Sequence, residues 1–213
     1  MKSAIHVLDL RTSDIERAFL KAYSEVGFAY LIGHGIDPAL RSALFDASAV
    51  FHALPEAQKR SAEVDHSHRG YIPMAASTDV NSTLAKITKP HQSSSFMMMH
   101  EDETAMPDVY LSGPNKWPNL SGFRPTLEQY HSEMCPLGNR MMQIALRAID
   151  AKPSAIEMFD PLTTWLRLLH YPPAPAQRAE DQYGSAPHTD FGALTFLATD
   201  DVAGFQVLAP KGN

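Results

Sequence analysis

The sequence predicts a mixed fold in which helices come first and an antiparallel sheet follows. Two observations carry this prediction. Apolar residues recur at intervals of three and four before residue 150, which is typical of amphipathic helices. Three short strand-like runs follow after residue 160, and strands segregated from helices indicate an antiparallel core.

The chain opens with a predicted strand and helix. Residues 5–10 alternate enough to form a short strand. The stretch SDIE that begins at Ser13 has the spacing of a capping box, and apolar residues follow it at helical intervals. We expect this helix to end at Gly27, because glycine accepts the left-handed conformation that often closes a helix.

A second strand and helix are predicted next. Residues 28–32 read as a buried strand that ends at the turn Gly33-His34-Gly35. Asp37 and Pro38 then supply an N-cap and a first-turn proline, which predicts a helix that runs to Pro55.

The pattern is looser between residues 61 and 125. We expect residues 66–71 and 93–95 to form polar loops. Residues 97–99 are three methionines and predict flexible core or pocket lining rather than a soft-metal site, which would usually add thiolates. Residues 113–118 are rich in turn formers, and we expect Trp117 to be packed.

The longest predicted helix covers about residues 126–148 and should kink at Pro136, because proline removes a backbone hydrogen bond. Cys135 is the only cysteine and should be a buried small residue in this helix. The strand-like runs that follow are residues 164–171, 193–199 and 204–209.

Composition limits the classes of partner. The net charge is −6, which argues against nucleic acid, since binders of nucleic acid usually carry a basic patch. The sequence contains no run of eighteen apolar residues, so it predicts no membrane span. No apolar segment follows the N-terminus, as one would in a secretory signal. A single cysteine excludes an internal disulfide and fits a reducing compartment, so we expect a cytoplasmic protein.

The stretch GSAPHTDFGALTF contains the chemistry-bearing pair His188 and Asp190. Side chains two apart on an extended chain point the same way, so an imidazole and a carboxylate would face one point. Two histidines and one carboxylate on one side of a metal hold iron in non-haem Fe(II) oxygenases, and this triplet supplies two of the three. The alternative is a turn in which Asp190 caps a neighbouring backbone group.

Several stretches together resemble one family. They occur in order along the chain and are FAYLIGHGI (28–36), FHALP (51–55), RGY (69–71), GPNKWP (113–118), LRLLHYPP (166–173), HTDFG (188–192), LT (194–195) and DDVAGFQV (200–207). On these stretches the chain is identified as a member of the isopenicillin N synthase-like branch of the Fe(II)/2-oxoglutarate-dependent oxygenases.

The resemblance implies a mainly β fold with flanking α-helices, built on a double-stranded β-helix (jelly-roll) core. It implies a single oxygenase domain over residues 1–213, with an N-terminal helical and strand region at about 1–160. The first part of the jelly-roll core would cover about residues 161–213, and its C-terminal part would be missing from this sequence.

The resemblance also implies the chemistry. Iron would be held by His188, Asp190 and a second histidine from a later strand. The co-substrate 2-oxoglutarate would be oxidised by O2 to succinate and CO2 while a small-molecule substrate is hydroxylated, desaturated or closed into a ring.

Three further residues are candidates for the site by this resemblance. Tyr171 matches a tyrosine that helps to hold the co-substrate, although Leu169 stands where the family has an asparagine; a core tyrosine is the alternative. Phe191 could face the substrate or simply pack. Arg167 could face the pocket or pair with an acidic neighbour, and we favour the acidic neighbour. We expect His170 to be a hydrogen-bonded core residue.

The sequence also departs from the family after Asp190. No histidine or arginine follows Asp190, so the third iron ligand and the arginine that pairs with the far carboxylate of 2-oxoglutarate are both absent. We therefore expect the 213 residues to be a fragment of a longer protein and to be inactive alone.

Two other functions remain open at this point. One is an iron enzyme that does not use 2-oxoglutarate, which the missing arginine and Leu169 would fit. The other is a catalytically silent binding domain, if the chain truly ends at Asn213. The oligomeric state and the substrate's identity are not predicted.

Overall fold

A computed structural model describes residues 5–76, 89–103, 106, 109–160, 162–174, 176–177 and 181–208. Five strands and four α-helices are found in these ranges. In chain order they are β1 (His6–Asp9), α1 (Ile15–Glu25), β2 (Ala29–Ile32), α2 (Pro38–His52), α3 (Glu56–Arg60), β3 (Gly70–Ile72), β4 (Ser94–Met99), α4 (Phe123–Ala148) and β5 (Trp165–His170). A 3-10 helix covers Pro153–Phe159, between α4 and β5.

The chain divides into two compact units. The first contains Met1–Pro38, Ser132–Leu162 and Gly192–Asn213, and the second contains Ala39–His131 and Thr163–Phe191.

The first unit is built on a parallel pair of strands and two helices. β1 pairs with β2 from His6 beside Ala29 to Asp9 beside Ile32. α1 buries Ile15, Phe19 and Ala22, the positions that the helical pattern predicts. The core of the first unit is a cluster of buried apolar side chains: Leu8, Leu10, Ile15, Phe19, Ala22, Leu137, Met141 and Ile144.

The end of α1 is confirmed and its start differs in detail. Gly27 has a φ of +79°, and its N–H donates to Ala22 O. Asp14 is the N-cap, but it makes no side-chain cap hydrogen bond and pairs with Arg17 instead. The predicted capping box needs Ser13 as N-cap and Glu16 three residues later, and it is not formed because the N-cap is Asp14 and Glu16 accepts from Arg147 instead.

The second predicted strand is present but is not buried. Tyr30 is 62% exposed and Ile32 is 42% exposed, whereas their neighbours in β2 are half-buried. Exposed and half-buried residues alternate along β2, so one of its faces lies open to solvent.

The second unit contains a three-stranded antiparallel sheet in the order β3-β4-β5. Its register places Tyr71 beside Phe96 and Phe96 beside Leu168. Aromatic rings fill the core under this sheet: Phe51 lies 5.1 Å from Phe96 and 5.0 Å from Phe123 between ring centroids. α2 presents Phe51 to this core near its C-terminal end, as its apolar stripe predicts.

Parts of two predicted loops are strands instead, whereas residues 66–69 and 93 lie outside the strands. Residues 70–72 form β3, with Arg69 3% exposed and Tyr71 1% exposed, and Ser94 and Ser95 begin β4. Serine is tolerated there because its hydroxyl finds partners: Ser94 Oγ lies 3.4 Å from His52 Nδ1, and Ser95 Oγ accepts from Arg167. Met98 and Met99 are buried in β4, so they are core residues as predicted.

α4 is confirmed and begins three residues earlier than predicted, at Phe123; it continues through Pro136. Trp117 packs against Phe96, with 5.7 Å between ring centroids, which confirms that it is packed. Cys135 is only half-buried.

Of the last three predicted strands, only the first is found. It is β5, whereas residues 193–199 and the described part of 204–209 form no strand. A strand requires a neighbour to bond its N–H and C=O groups, and the described residues provide none for these two runs. Helices consequently span more of the described residues than strands do, so this part of the chain is not mainly β.

No helix among the described residues has both the length and the apolar content needed to cross a membrane.

Candidate metal centre

His188 and Asp190 lie together in the second unit. Nδ1 of His188 is 2.7 Å from the carbonyl oxygen of Ala186. A carbonyl oxygen can only accept a hydrogen bond, so Nδ1 must carry the proton. The other ring nitrogen, Nε2, lies 3.2 Å from Asp190 Oδ1.

This geometry suits a positive charge between the two side chains. With Nδ1 protonated, Nε2 of a neutral imidazole has a lone pair that faces a carboxylate oxygen, and two acceptors at that distance repel each other. A proton or a metal ion between Nε2 and Oδ1 removes the repulsion. A metal-binding histidine typically donates its other N–H to a backbone carbonyl in this way, which fixes its tautomer.

The donor atoms suit iron, and the pair is accessible. An imidazole nitrogen and a carboxylate oxygen belong to the ligand set of non-haem Fe(II) sites. The side chains of His188 and Asp190 are 39% and 50% exposed. Within the described ranges no group of three or more His, Cys, Asp or Glu side chains could hold a metal ion, so no third ligand completes the set there.

Tyr171 directly follows β5 and packs on the chain that leads to His188. Its ring lies against Gly184, and its phenolic oxygen is within hydrogen-bonding reach of the Ser185 side chain. Burial raises the pKa of Tyr171, while Arg167 and Ser185 partly oppose this rise. The ring forms part of the wall of a cavity of about 300 Å³, which is lined by Met74, Gln92, Tyr171, Pro172, Pro173, Ala174, Tyr183 and Gly184.

Arg167 lies on β5 and donates from Nε to Ser95 Oγ, at 3.0 Å. Among the described residues it makes no ion pair with a carboxylate, so the expected acidic neighbour is not found. The side chain is open to solvent on one side, yet desolvation lowers the pKa of its guanidinium, and Tyr171 partly restores it. The charge is therefore left without a counter-ion on this strand.

Phe191 and His170 do not lie in the core. Phe191 is 80% exposed, so its ring is not packed. His170 is exposed at the end of β5 and stacks on the buried His52, with 4.9 Å between ring centroids. The expectation of a hydrogen-bonded core histidine fits His52 better than His170, because His170 is the last residue of β5 and lies at the open end of the strand.

Ser95 and Gly184 are neighbours of the candidate site that sequence reasoning missed. Ser95 lies in a run of serines that is typical of a loop, and only strand pairing brings it to Arg167. Gly184 belongs to the stretch that contains His188, but a single glycine there indicates a turn and not a contact.

Comparison with known proteins identifies the family. Residues 5–120, more than half of the chain, match the family described as non-haem dioxygenase in morphine synthesis, N-terminal. The chain is also 34% identical over 197 residues to the 2-oxoglutarate-dependent dioxygenase citB of Monascus ruber, covering 87% of this chain and 59% of that protein. It is 30% identical over 204 residues to the 2-oxoglutarate-Fe(II) type oxidoreductase hxnY of Emericella nidulans, covering 88% of this chain and 56% of that protein.

A solved structure agrees with these relatives. A full-length Neurospora crassa protein, crystallised in complex with alpha-KG, superimposes with a TM-score of 0.63 and 23% identity, covering 81% of this chain and 56% of that one. The chain thus spans somewhat less than two thirds of the length of the proteins that it matches. The matching family, the relatives and the shared fold agree: the chain belongs to the Fe(II)/2-oxoglutarate-dependent oxygenase family of non-haem dioxygenases.

Proposed function

We propose that this chain contributes to a non-haem Fe(II)/2-oxoglutarate-dependent oxygenase that oxidises a small molecule and releases succinate and CO2. The observation that carries the proposal is the approach of His188 Nε2 to Asp190 Oδ1, at 3.2 Å, with Nδ1 bonded to a backbone carbonyl. In this family the same pair of ligand types binds iron, and the relatives' names point to the same activity.

In this proposal His188 and Asp190 hold the iron, and a third ligand comes from outside the described residues. When bound, the iron and 2-oxoglutarate supply the oxidising chemistry with O2. The protein's own residues orient the reactants: the Ala186 carbonyl fixes the tautomer of His188 so that the lone pair is on Nε2, the atom that would coordinate the metal.

The proposed fold is a jelly-roll core that begins with the antiparallel sheet β3-β4-β5. Arg167 lies on β5 of this sheet, and Tyr171 is the first residue after β5. These two proposed site residues are therefore close together in the sequence at the end of one strand. The structural likeness to the Neurospora crassa protein supports this fold, and we propose one oxygenase domain with its core starting at about residue 161.

We assign carboxylate binding to Tyr171 and Arg167. Tyr171 directly follows β5, four residues after Arg167, and the two groups interact electrostatically. A guanidinium without a counter-ion favours an anion, and a planar fork of N–H donors suits a carboxylate. The carboxylate belongs to 2-oxoglutarate or to an acidic substrate. Arg167→Met separates these two sources, because it should raise the KM for 2-oxoglutarate in the first case and the KM for the substrate in the second.

Phe191 is proposed to contact the substrate. Its ring is exposed directly beside the ligand Asp190, and an apolar ring at that place would gain from covering an apolar part of a small molecule. The substrate itself is not assigned beyond its being a small molecule.

The proposal is tested by succinate formation in the whole protein. Incubation with Fe(II), 2-oxoglutarate and O2 should give succinate that disappears when iron is chelated and in Asp190→Asn. A substrate oxidised without succinate would contradict the proposal and favour an iron enzyme that does not use 2-oxoglutarate. An absence of both metal binding and turnover would indicate a silent binding domain.

A further inference from the structure

Gly184 lies shortly before the metal-ligand pair, and the Tyr171 ring packs directly on its Cα. A Cβ at position 184 would lie 2.9 Å from Tyr171 Cδ1 and 3.3 Å from Cε1. Packed carbon atoms normally stay about 3.5 Å or more apart, so position 184 cannot carry a side chain while the ring keeps its place.

The need for glycine comes from this packing and not from the backbone. Seven glycines of the described chain have a positive φ, and Gly184 is not among them. Alanine would thus suit the backbone conformation at position 184, and only the Tyr171 ring opposes it.

The backbone on one side of Gly184 is fixed, whereas the Tyr171 ring can move. The N–H of Gln92 donates to Tyr183 O at 2.8 Å and ties this part of the chain in place. The ring is 49% exposed and borders the cavity of about 300 Å³, which offers it room to rotate. A side chain at position 184 should therefore displace the ring rather than the backbone.

We propose that Gly184 is a positioning residue that keeps the Tyr171 hydroxyl beside Ser185, at the entrance to the His188-Asp190 segment. Without a Cβ at position 184, the Cδ1–Cε1 edge of the ring can lie close to the chain, which restricts where the hydroxyl can be. The consequence for turnover rests on the proposed function, in which Tyr171 contacts 2-oxoglutarate.

The test compares Gly184→Ala with Gly204→Ala in the whole protein. Gly204 is the matched control, because a Cβ there meets nothing within 4 Å and its φ is not positive. Gly184→Ala should raise the KM for 2-oxoglutarate by about tenfold, the size expected for one lost hydrogen bond to a charged group. Fe(II) affinity should stay within about twofold, and Gly204→Ala should behave as wild type.

A double variant shows whether Gly184 acts through the ring. In a Tyr171→Ala background there is no ring to displace, so Gly184→Ala should raise the KM no further. An additional increase in that background, or a fall in Fe(II) affinity in place of a rise in KM, would mean that the backbone moves, and would overturn the proposal.

A readout without turnover separates this proposal from the proposed function. With 3-fluorotyrosine placed at position 171, the fluorine resonance should shift in Gly184→Ala and remain unchanged in Gly204→Ala. If the wild type makes no succinate, the proposed function fails while this shift still tests the contact. An unshifted resonance in folded Gly184→Ala would refute the contact itself.

Discussion

At the scale of single residues, the chemistry depends on how lone pairs and charges are placed. The protonated Nδ1 of His188 leaves the Nε2 lone pair directed at a carboxylate, and the Arg167 guanidinium faces no carboxylate among the described residues. Each is explained if a cation and an anion bind there during function.

The position of the Asp190 carboxylate is therefore critical. Asp190→Glu keeps the charge but adds a methylene, which moves the ligand oxygen by about 1 Å, and a misplacement of that size can cost about a hundredfold in rate. We expect such a loss in succinate formation by the whole protein, with little change in its unfolding temperature. A variant with wild-type rate would remove Asp190 from the metal.

His52 gives the protein a predicted pH dependence of stability. Burial, reinforced by the neighbouring imidazole of His170, lowers the pKa of His52 to about 4. Its pKa in the unfolded chain is about 6.5, so the unfolded state binds more protons between these values. The free energy of unfolding should therefore be steady above about pH 6.5 and fall by at most about 3 kcal/mol as the pH drops towards 4.

Urea unfolding between pH 4 and 7 checks this expectation. His52→Gln should flatten the slope, whereas His66→Gln, at an exposed histidine, should leave it unchanged. An identical slope in His52→Gln and wild type would show that another group titrates.

At the scale of elements, one side chain extends the central strand. The Asn115 amide accepts from Met99 N at 2.9 Å and donates to Met99 O at 2.8 Å, as a neighbouring strand would. Glu101 in turn accepts from Asn115 N and from Trp117 Nε1. The stretch GPNKWP, which the resemblance singled out, is thus a structural clamp at the end of β4.

Asn115→Ala should destabilise the protein by roughly 2–4 kcal/mol, because it leaves two buried backbone groups of Met99 without partners. Asn119→Ala, at an exposed asparagine just after this stretch, should change stability by less than about 0.5 kcal/mol. Thermal unfolding of the two variants measures the difference. Equal stability of both would show that water replaces the amide.

The helices could be predicted from the sequence because their information is local. α1, α2 and α4 each carry an apolar stripe, and the glycine and proline at their ends act within a turn. β3 and β4 could not be predicted, since serines and methionines alternate poorly and the partners lie far along the chain. Their burial depends on contacts such as Arg167 with Ser95, which no local pattern shows.

The candidate site could also be predicted only where its residues lie close together in the sequence. The convergence of His188 and Asp190 follows from their spacing along an extended chain, and the structure shows it. The packing of Tyr171 on Gly184 depends on how two distant segments meet, so the sequence contains no sign of it.

At the scale of the whole molecule, family membership and the ligand pair meet in one claim: His188 and Asp190 bind iron. Large apolar side chains such as Phe205 and Leu208 remain exposed near the end of the described chain, and the described residues contain two of the three proposed ligands. The metal must therefore be measured in the whole protein.

The most direct measurement is an anaerobic Fe(II) titration of the whole protein and two histidine variants. Wild type and His66→Ala should bind iron with equal affinity, since His66 is exposed and forms no metal-holding group with the pair. His188→Ala should bind at least a hundredfold more weakly, because loss of an outer-shell partner alone costs about 10–100-fold. Equal affinity of His188→Ala and wild type would contradict the assignment of the metal centre.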